Sequence, residues 1–527
     1  MCFVRKPLFS LVALLAPAFL AAADAPNPLV SLQTDRGKIE IELYASEAPR
    51  TVANFLQYVR SGYYNGIVFD RVEPNFVIEA GGRGADGSIR ASFPPIPSEA
   101  DNGLKNLAGT VGLAREGDPA SGANYFYVNL KDNPHLDHTG DDAEHFGYTV
   151  FGRILSGMDA VTKIAEAPKS SSTIVAAKID RELDRRAVIA AREKTFEDLS
   201  EYYDIDKIYR SMTGPQSTRH VSLEKGPPEL LWIVGYSADV VGDADDPTGL
   251  DQFMCHSNLD LDPGEHLRRL QISHDVNPRL FTLSQGQMDI EFPTGFGVPI
   301  LSDEKLSLTT QVLNLNYANC GLNVRHRTRI RYVRERDLPF PMQPLFEDAV
   351  YGLKVLSGTD GRFGVDPAAH EGHDMASCLP GQNAASYEYH DAYNRTFTGH
   401  WVVKPGREVN RTSVDAMLRL SQDTTIHYIA VHLHPFAESL ELFDKTANKT
   451  VWKSKAQNPT DRIGLTRVDT FSSAEGVPIY HDHHYELIST YNNTSKEDQD
   501  SMAVMFLYLK DPVFQKPQLP PATVASR

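Results

Sequence analysis

Hydrophobic and polar residues alternate early in the chain. Ile39, Ile41 and Leu43 are separated by Glu40 and Glu42 and follow a turn at Asp35-Arg36-Gly37. This period of two predicts a half-buried strand. After Pro49 the period changes: Val52, Phe55, Leu56 and Val59 share one helical face, and Gly62 is a good stop. Strand patterns return at Ile67–Val72, at Phe76–Ile78 and at Thr173–Ile179, the last closing a first domain. From Arg181 to Tyr209 the chain is charged and free of Gly and Pro, which predicts a helical linker. From about Gly214 to Phe514, short β-like runs are separated by Gly, Pro, Asn and Asp, the spacing of sandwiches rather than of a parallel sheet. Three hundred residues suit two sandwiches, with a boundary near the Pro-rich Leu338–Gln343.

The N-terminus carries Arg5 and Lys6, an apolar run from Leu8 to Ala22, and small residues over Ala21–Ala25. It reads as a signal peptide cut after about Ala23 or Ala25; the alternative is a membrane anchor, for which the run is short. A secreted or periplasmic protein, without membrane attachment after cleavage, is expected. The net charge of −17 argues against a nucleic-acid partner. Cys2 leaves with the signal, so Cys255, Cys320 and Cys378 allow one internal disulfide and leave one thiol.

Three segments carry the first chemistry: FDRVEPNFVIEAGG (Phe69–Gly82), GTVGLAREGDPASGANYFYVNL (Gly109–Leu130), and HLDH with GYTVFGRILSGMDAV between His135 and Val161. Their order and spacing resemble the cyclophilin-type peptidyl-prolyl cis–trans isomerases, nearest the bacterial secreted ones, from about Val30 to Ile179. The resemblance implies an eight-stranded β-barrel with flanking helices, proline-containing polypeptides as partners and no cofactor for isomerisation. It makes Arg71 the catalytic donor. Phe76, Val77, Phe126 and Leu136 match the proline pocket, and Tyr148 stands where many members carry His. Ala114 and Arg115 match the stretch that pairs with substrate backbone. Asp70, Glu79, Asn124 and His135 depart from the family, which usually has Gln where Glu79 and Asn124 stand. Glu79 could hold the Arg71 guanidinium in place or compete with substrate for it.

The second chemistry lies late in the chain. His432 and His434 form an HxH pair in IHYIAVHLHPFAESLELFDKTANKTVWKSKAQ (Ile426–Gln457), and on a strand both imidazoles face one side. Met502 follows in YELISTYNNTSKEDQDSMAVMFLYL (Tyr485–Leu509); two imidazoles and a thioether suit copper. These stretches resemble the second domain of the copper type II, ascorbate-dependent monooxygenases, such as peptidylglycine α-hydroxylating and dopamine β-monooxygenase. The resemblance assigns copper to His432, His434 and Met502, with Met505 a rival to Met502. Phe292–Asn319 resembles that family's first domain but reads QVLNLNY where the family has a ligating His, and its His-His pair is absent. The electron-supplying copper site is therefore expected to be lost. Further His groups stand at His370 and His373 with Met375, at His481, His483 and His484, and at His400.

The expected protein is mainly β: signal peptide 1–25, cyclophilin-like domain 26–181, helical linker 182–213, jelly-roll-like sandwiches 214–340 and 341–514, and a disordered tail 515–527. It is expected to be an isomerase for X-Pro bonds of exported proteins, fused to a mononuclear copper module that could also bind a protein partner. The alternatives are a copper monooxygenase with an accessory isomerase domain, and a binding protein for proline peptides or copper without catalysis.

Overall fold

The structure is a computed structural model that describes residues 27–242, 246–247, 249–357, 362–363, 388–418, 420–517 and 519. The expected signal peptide, the His370–Met375 stretch, Cys378 and most of the tail lie outside the described residues. The described chain forms two compact units: one holds residues up to Arg192 together with Arg336–Pro341, the other Glu193–Glu335 and the residues from Met342 onward.

In the first unit the strands are β1 (Leu29–Thr34), β2 (Gly37–Leu43), β3 (Ile67–Glu73), β4 (Val77–Gly84), β5 (Thr110–Leu113), β6 (Phe126–Asn129), β7 (Val150–Ser156) and β8 (Thr173–Arg181). They close into a barrel in the order β1-β2-β7-β5-β6-β4-β3-β8. Ile39, Ile41 and Leu43 point inward and Glu40 and Glu42 outward, as the alternation requires. Helix α1 (Pro49–Arg60) starts at a proline and stops before Gly62, whose φ of 68° suits glycine. Its Val52, Phe55, Leu56 and Val59 join the barrel core, where the Phe55 ring meets Tyr64, Phe126 and Phe151. Helix α2 (Met158–Glu166) packs Ala160, Val161 and Ile164 into the same core.

The segment expected to be a helical linker is helical only in α3 (Arg185–Arg192); Lys194–Leu199 and Tyr203–Ile205 are strands, both antiparallel to Leu322–Arg334. The reason lies far away in sequence. The antiparallel register sets Arg329 of Leu322–Arg334 directly opposite Glu197 of Lys194–Leu199, a cross-strand pair of opposite charge. Arg329 bonds Glu197 at 2.8 Å and Asp239 at 2.9 Å.

The second unit is built on a ten-stranded sheet whose main path runs Tyr203–Ile205, Leu322–Arg334, Leu230–Val241, Phe296–Leu301, Gln343–Tyr351, Ala503–Lys510, Thr424–Leu433, Phe471–Ile479. The parallel pairing of Phe296 with Gln343 carries it across the expected boundary at residue 340, so residues 214–340 and 341–514 do not form separate compact units. Among the described residues, a four-stranded, a five-stranded, a three-stranded and a two-stranded sheet accompany it in this mainly β unit. Thr424–Leu433 and Ala503–Lys510 are buried on both faces. Tyr428, Ala430, Val504, Phe506 and Tyr508 enter one core, while Ile429, Val431, Met505 and Leu507 enter the other. Cys320 is disulfide-bonded and Cys255 is a free, buried thiol.

Candidate functional site

The first candidate site is the outer face of β3, β4 and β6. Cross-strand pairing sets Arg71 opposite Glu79, and Glu79 opposite Tyr127. Arg71 is half exposed and donates from Nη1 to Glu79 Oε2 at 3.3 Å; Glu73 is 4.0 Å away. Its guanidinium lies 5.8 Å from the centre of the Phe76 ring, which stacks on His135 at 5.4 Å. Val77 is on the same face, two residues before Glu79. Leu136 accepts the Tyr148 N–H at 2.9 Å, and the Tyr148 ring meets Tyr127 edge to face at 6.3 Å. The result is a cation beside an apolar cup of Phe76, Val77, Tyr127, Leu136 and Tyr148.

Burial lifts the Glu79 carboxyl above its ordinary range, the Arg71 charge pulls it back, and Asp70 lifts it again. Asp70 is near Arg83 at 3.7 Å and the Tyr125 hydroxyl at 3.4 Å. Gly81 and Gly82 make room for that tyrosine: a Cβ on either would sit within 2.7 Å of Tyr125.

Two sequence expectations are corrected here. Phe126 is not in the cup; it is 1% exposed and packs inside the barrel against Phe55, Tyr64 and Phe69. Asn124 is likewise turned away, donating to Tyr63 and to the Gly81 carbonyl. Side chains alternate along a strand, so a slip of one residue exchanges the faces. Tyr125 and Tyr127 hold the outward positions instead. Tyr127, missed in the sequence, donates its hydroxyl to Asn106 at 2.7 Å, and Gly112 has no side chain because a Cβ there would strike the Tyr127 ring. Arg115 is occupied structurally: it donates to the carbonyls of Glu116, Gly117, Ala143 and Gly147 and covers Tyr148 at 4.8 Å. The Ala114 N–H is taken by the Tyr125 carbonyl.

The second candidate site is a group of imidazoles in the second unit. His432 lies near the end of the strand Thr424–Leu433 on its Tyr428–Ala430 face and His434 follows just beyond the strand, with ring centres 5.3 Å apart; His400 lies 5.5 Å from His434. His434 places Nδ1 3.3 Å from the Asp500 carbonyl and Nε2 3.2 Å from Ser211 Oγ. Asp500 also meets His400 at 3.4 Å. Nδ1 of His432 is buried without a hydrogen-bond partner. Burial holds His434 and His326 down to about 4 and His256 to about 3, and holds His432 well below the usual imidazole range, with neighbouring imidazoles adding to the effect on His256, His432 and His434. All four are neutral at pH 7 and able to ligate.

His432 and His434 fit a copper ion: two imidazoles bound at about 2.0 Å to one metal stand with centres roughly 5 Å apart, and the orphaned Nδ1 of His432 is a donor awaiting a partner. Met502 is buried and lines a cavity of about 360 Å³ with His432 and His256, whereas His432 and His434 share a second cavity of about 180 Å³. Met505 faces the opposite core and is removed as a rival ligand. His481, His483 and His484 each bond a different carboxylate, those of Asp423, Asp444 and Asp415. Among the described residues Asp423, His481 and Asp482 bring donor atoms within 4.8 Å of one another, all exposed; no trio among the buried imidazoles converges as tightly. No helix among the described residues is long and apolar enough to cross a membrane.

Residues 29–182 match the family model described as cyclophilin type peptidyl-prolyl cis-trans isomerase. A peptidyl-prolyl cis-trans isomerase of Acinetobacter baylyi is 43% identical over 161 residues, 30% of this chain and 84% of the relative. One from Streptomyces antibioticus is 46% identical over 143 residues, 27% of this chain and 86% of the relative. Peptidyl-prolyl cis-trans isomerase B of Escherichia coli is 41% identical over 136 residues, 26% and 83% of the two chains.

Proposed function

Because the chain belongs to the cyclophilin-type peptidyl-prolyl cis–trans isomerases, we propose that its barrel isomerises X-Pro bonds in exported proteins and that its second unit holds one copper ion at His432 and His434, with Met502 as the third ligand that the resemblance implies. The observation that carries the isomerase reading is the position of Arg71, a guanidinium beside the apolar cup. A prolyl amide resists rotation by about 18–20 kcal/mol because nitrogen shares its lone pair with the carbonyl. Twisting localises that pair, and a donor aimed at the nitrogen then stabilises the twisted state more than the planar one. Phe76, Val77, Tyr127, Leu136 and Tyr148 hold the proline ring while the acyl side turns. Arg71 supplies the donor, and Glu79 sets where the guanidinium points between turnovers. No cofactor enters this chemistry.

The exported setting is supported by the N-terminal apolar run and by a disulfide at Cys320. In the second unit, neutral imidazoles beside an orphaned nitrogen support a single copper site for binding, delivery or sensing. Two assays test the reading. Full-length protein should accelerate isomerisation of an Xaa-Pro peptide, and Arg71→Ala should abolish most of that rate; equal rates in both would sink it. Wild type should retain one copper per chain after dialysis, and a His432→Ala/His434→Ala double variant none; metal content unchanged in the variant rejects the copper site.

A further inference from the structure

The second unit holds a larger cavity, of about 580 Å³, along the strand Gln343–Tyr351. The aromatic rings of Phe346, Tyr351, Phe363 and Tyr389 line it, and the Tyr351 and Tyr389 ring centres lie 5.8 Å apart. Among the described residues no lysine or arginine lines it. Glu347 does, and it is 4% exposed. Both of its carboxyl oxygens are buried without a hydrogen-bond partner. Burial lifts this carboxyl well above its ordinary range; Asp348 adds to the lift and the Arg279 charge offsets a part of it. Arg279 itself donates to Asp260 and, at 2.9 Å, to the Thr282 hydroxyl. His274, which also lines the cavity, holds Nε2 2.8 Å from Asp511 Oδ2.

A buried carboxyl with neither oxygen answered costs stability that an apolar side chain in its place would not. A ligand that answers it removes that cost, and its chemistry follows from what is missing. Two orphaned oxygens side by side call for two parallel N–H donors on a positive group, the fork of a guanidinium rather than the point charge of an ammonium. The aromatic walls suit the flat face of the same group. A metal ion fits less well: among the described residues the trio of donor groups close enough for one is the exposed Asp423, His481 and Asp482. We propose that the cavity along Gln343–Tyr351 binds a guanidinium group against Glu347, carried by a small molecule or by an arginine side chain of a peptide. The site depends on neither the isomerase nor the copper reading.

The test is isothermal titration calorimetry on the full chain, beside Glu347→Gln. The ligands are phenylguanidine, its neutral isostere phenylurea, and the peptide acetyl-Gly-Arg-Gly-amide. A guanidinium ligand should bind once per chain and lose about ten-fold or more in affinity in Glu347→Gln, since the charge-assisted pair is gone. Phenylguanidine should exceed phenylurea by about the same factor. Whichever of phenylguanidine and the peptide binds in this Glu347-dependent way identifies the source, and either supports the proposal. No binding of either at millimolar concentration overturns it, and so does an affinity unchanged in Glu347→Gln. If Glu347→Gln does not fold, wild type decides: guanidinium favoured over urea by about ten-fold or more supports the proposal, and a smaller ratio rejects it.

Discussion

The groove on the barrel and the imidazole group of the second unit handle charge in opposite ways. Arg71 stays half in solvent and is answered by Glu79. His256, His326 and His434 are buried and His432 is partly buried, and desolvation favours their uncharged form. The first site works by presenting a cation. The second carries none. Placement differs too: the cation sits on an outer face of the barrel, and the imidazoles sit on the side of their strands that faces one core.

The largest expected effect separates the inner and outer faces of β6. Phe126→Ala should cost the barrel about 3–5 kcal/mol of stability, read from its denaturation midpoint, whereas Tyr127→Ala should lower kcat/KM with a smaller loss of stability. Equal effects on both quantities would dissolve the distinction between the faces. Next comes Arg71→Ala, which should reduce kcat/KM roughly 10²–10³-fold while the melting transition stays in place. Acid comes third. Free imidazoles titrate near 6.5, and the buried ones titrate lower. Between those values the unfolded chain holds more protons, so this contribution is fully present above about pH 6.5 and is lost as pH falls toward 4. The second unit should therefore weaken by on the order of a few kcal/mol over that range, followed by its own unfolding signal, and a second unit as stable at pH 4.5 as at pH 7 would contradict the buried neutral imidazoles. Glu79 has the opposite sign: its folded value is raised, so the folded state holds more protons and this group's contribution falls as pH rises through its titration. The smallest effect is Glu79→Gln. An amide holds Arg71 less firmly than a carboxylate by about 1 kcal/mol, so kcat/KM at neutral pH should rise about five-fold, and the gain that wild type shows on mild acidification should vanish.

Much of the barrel could be read in advance because its signals are local. The alternation over Ile39–Leu43, the helical face of Val52–Val59 and the segment around Arg71 each complete their pattern within a few residues. The cup was misread where the pattern was ambiguous. Tyr125, Phe126 and Tyr127 are three aromatic residues in a row, and neither face is marked until Phe126 and Val128 are seen to enter the core with Val111 and Leu113. The continued alternation through Val128 was the available signal. The strands Lys194–Leu199 and Tyr203–Ile205 are hidden for another reason: the strand they pair with, whose Arg329 answers Glu197, lies well over a hundred residues away. Likewise, the pairing of Phe296 with Gln343 joins two stretches that a Pro-rich segment divides only along the chain. His432 and His434 were legible as an HxH pair, but the neighbours that set their chemistry, Asp500 and Ser211, come from two other places in the sequence.

The strand Ala503–Lys510 lies almost at the end of the chain, yet Val504, Phe506 and Tyr508 belong to a core that also contains Leu231, Leu259 and Leu308. During synthesis that core therefore waits. The barrel has all its strands once residue 181 has emerged, and it can close while the ribosome is still elongating. The second unit keeps an apolar face open until residue 510 is available, more than three hundred residues later. A nascent chain thus passes through a long interval with a finished isomerase at its front and an unfinished sheet behind it. Premature termination anywhere in the last strand leaves a sticky, open-edged product rather than a shortened working one.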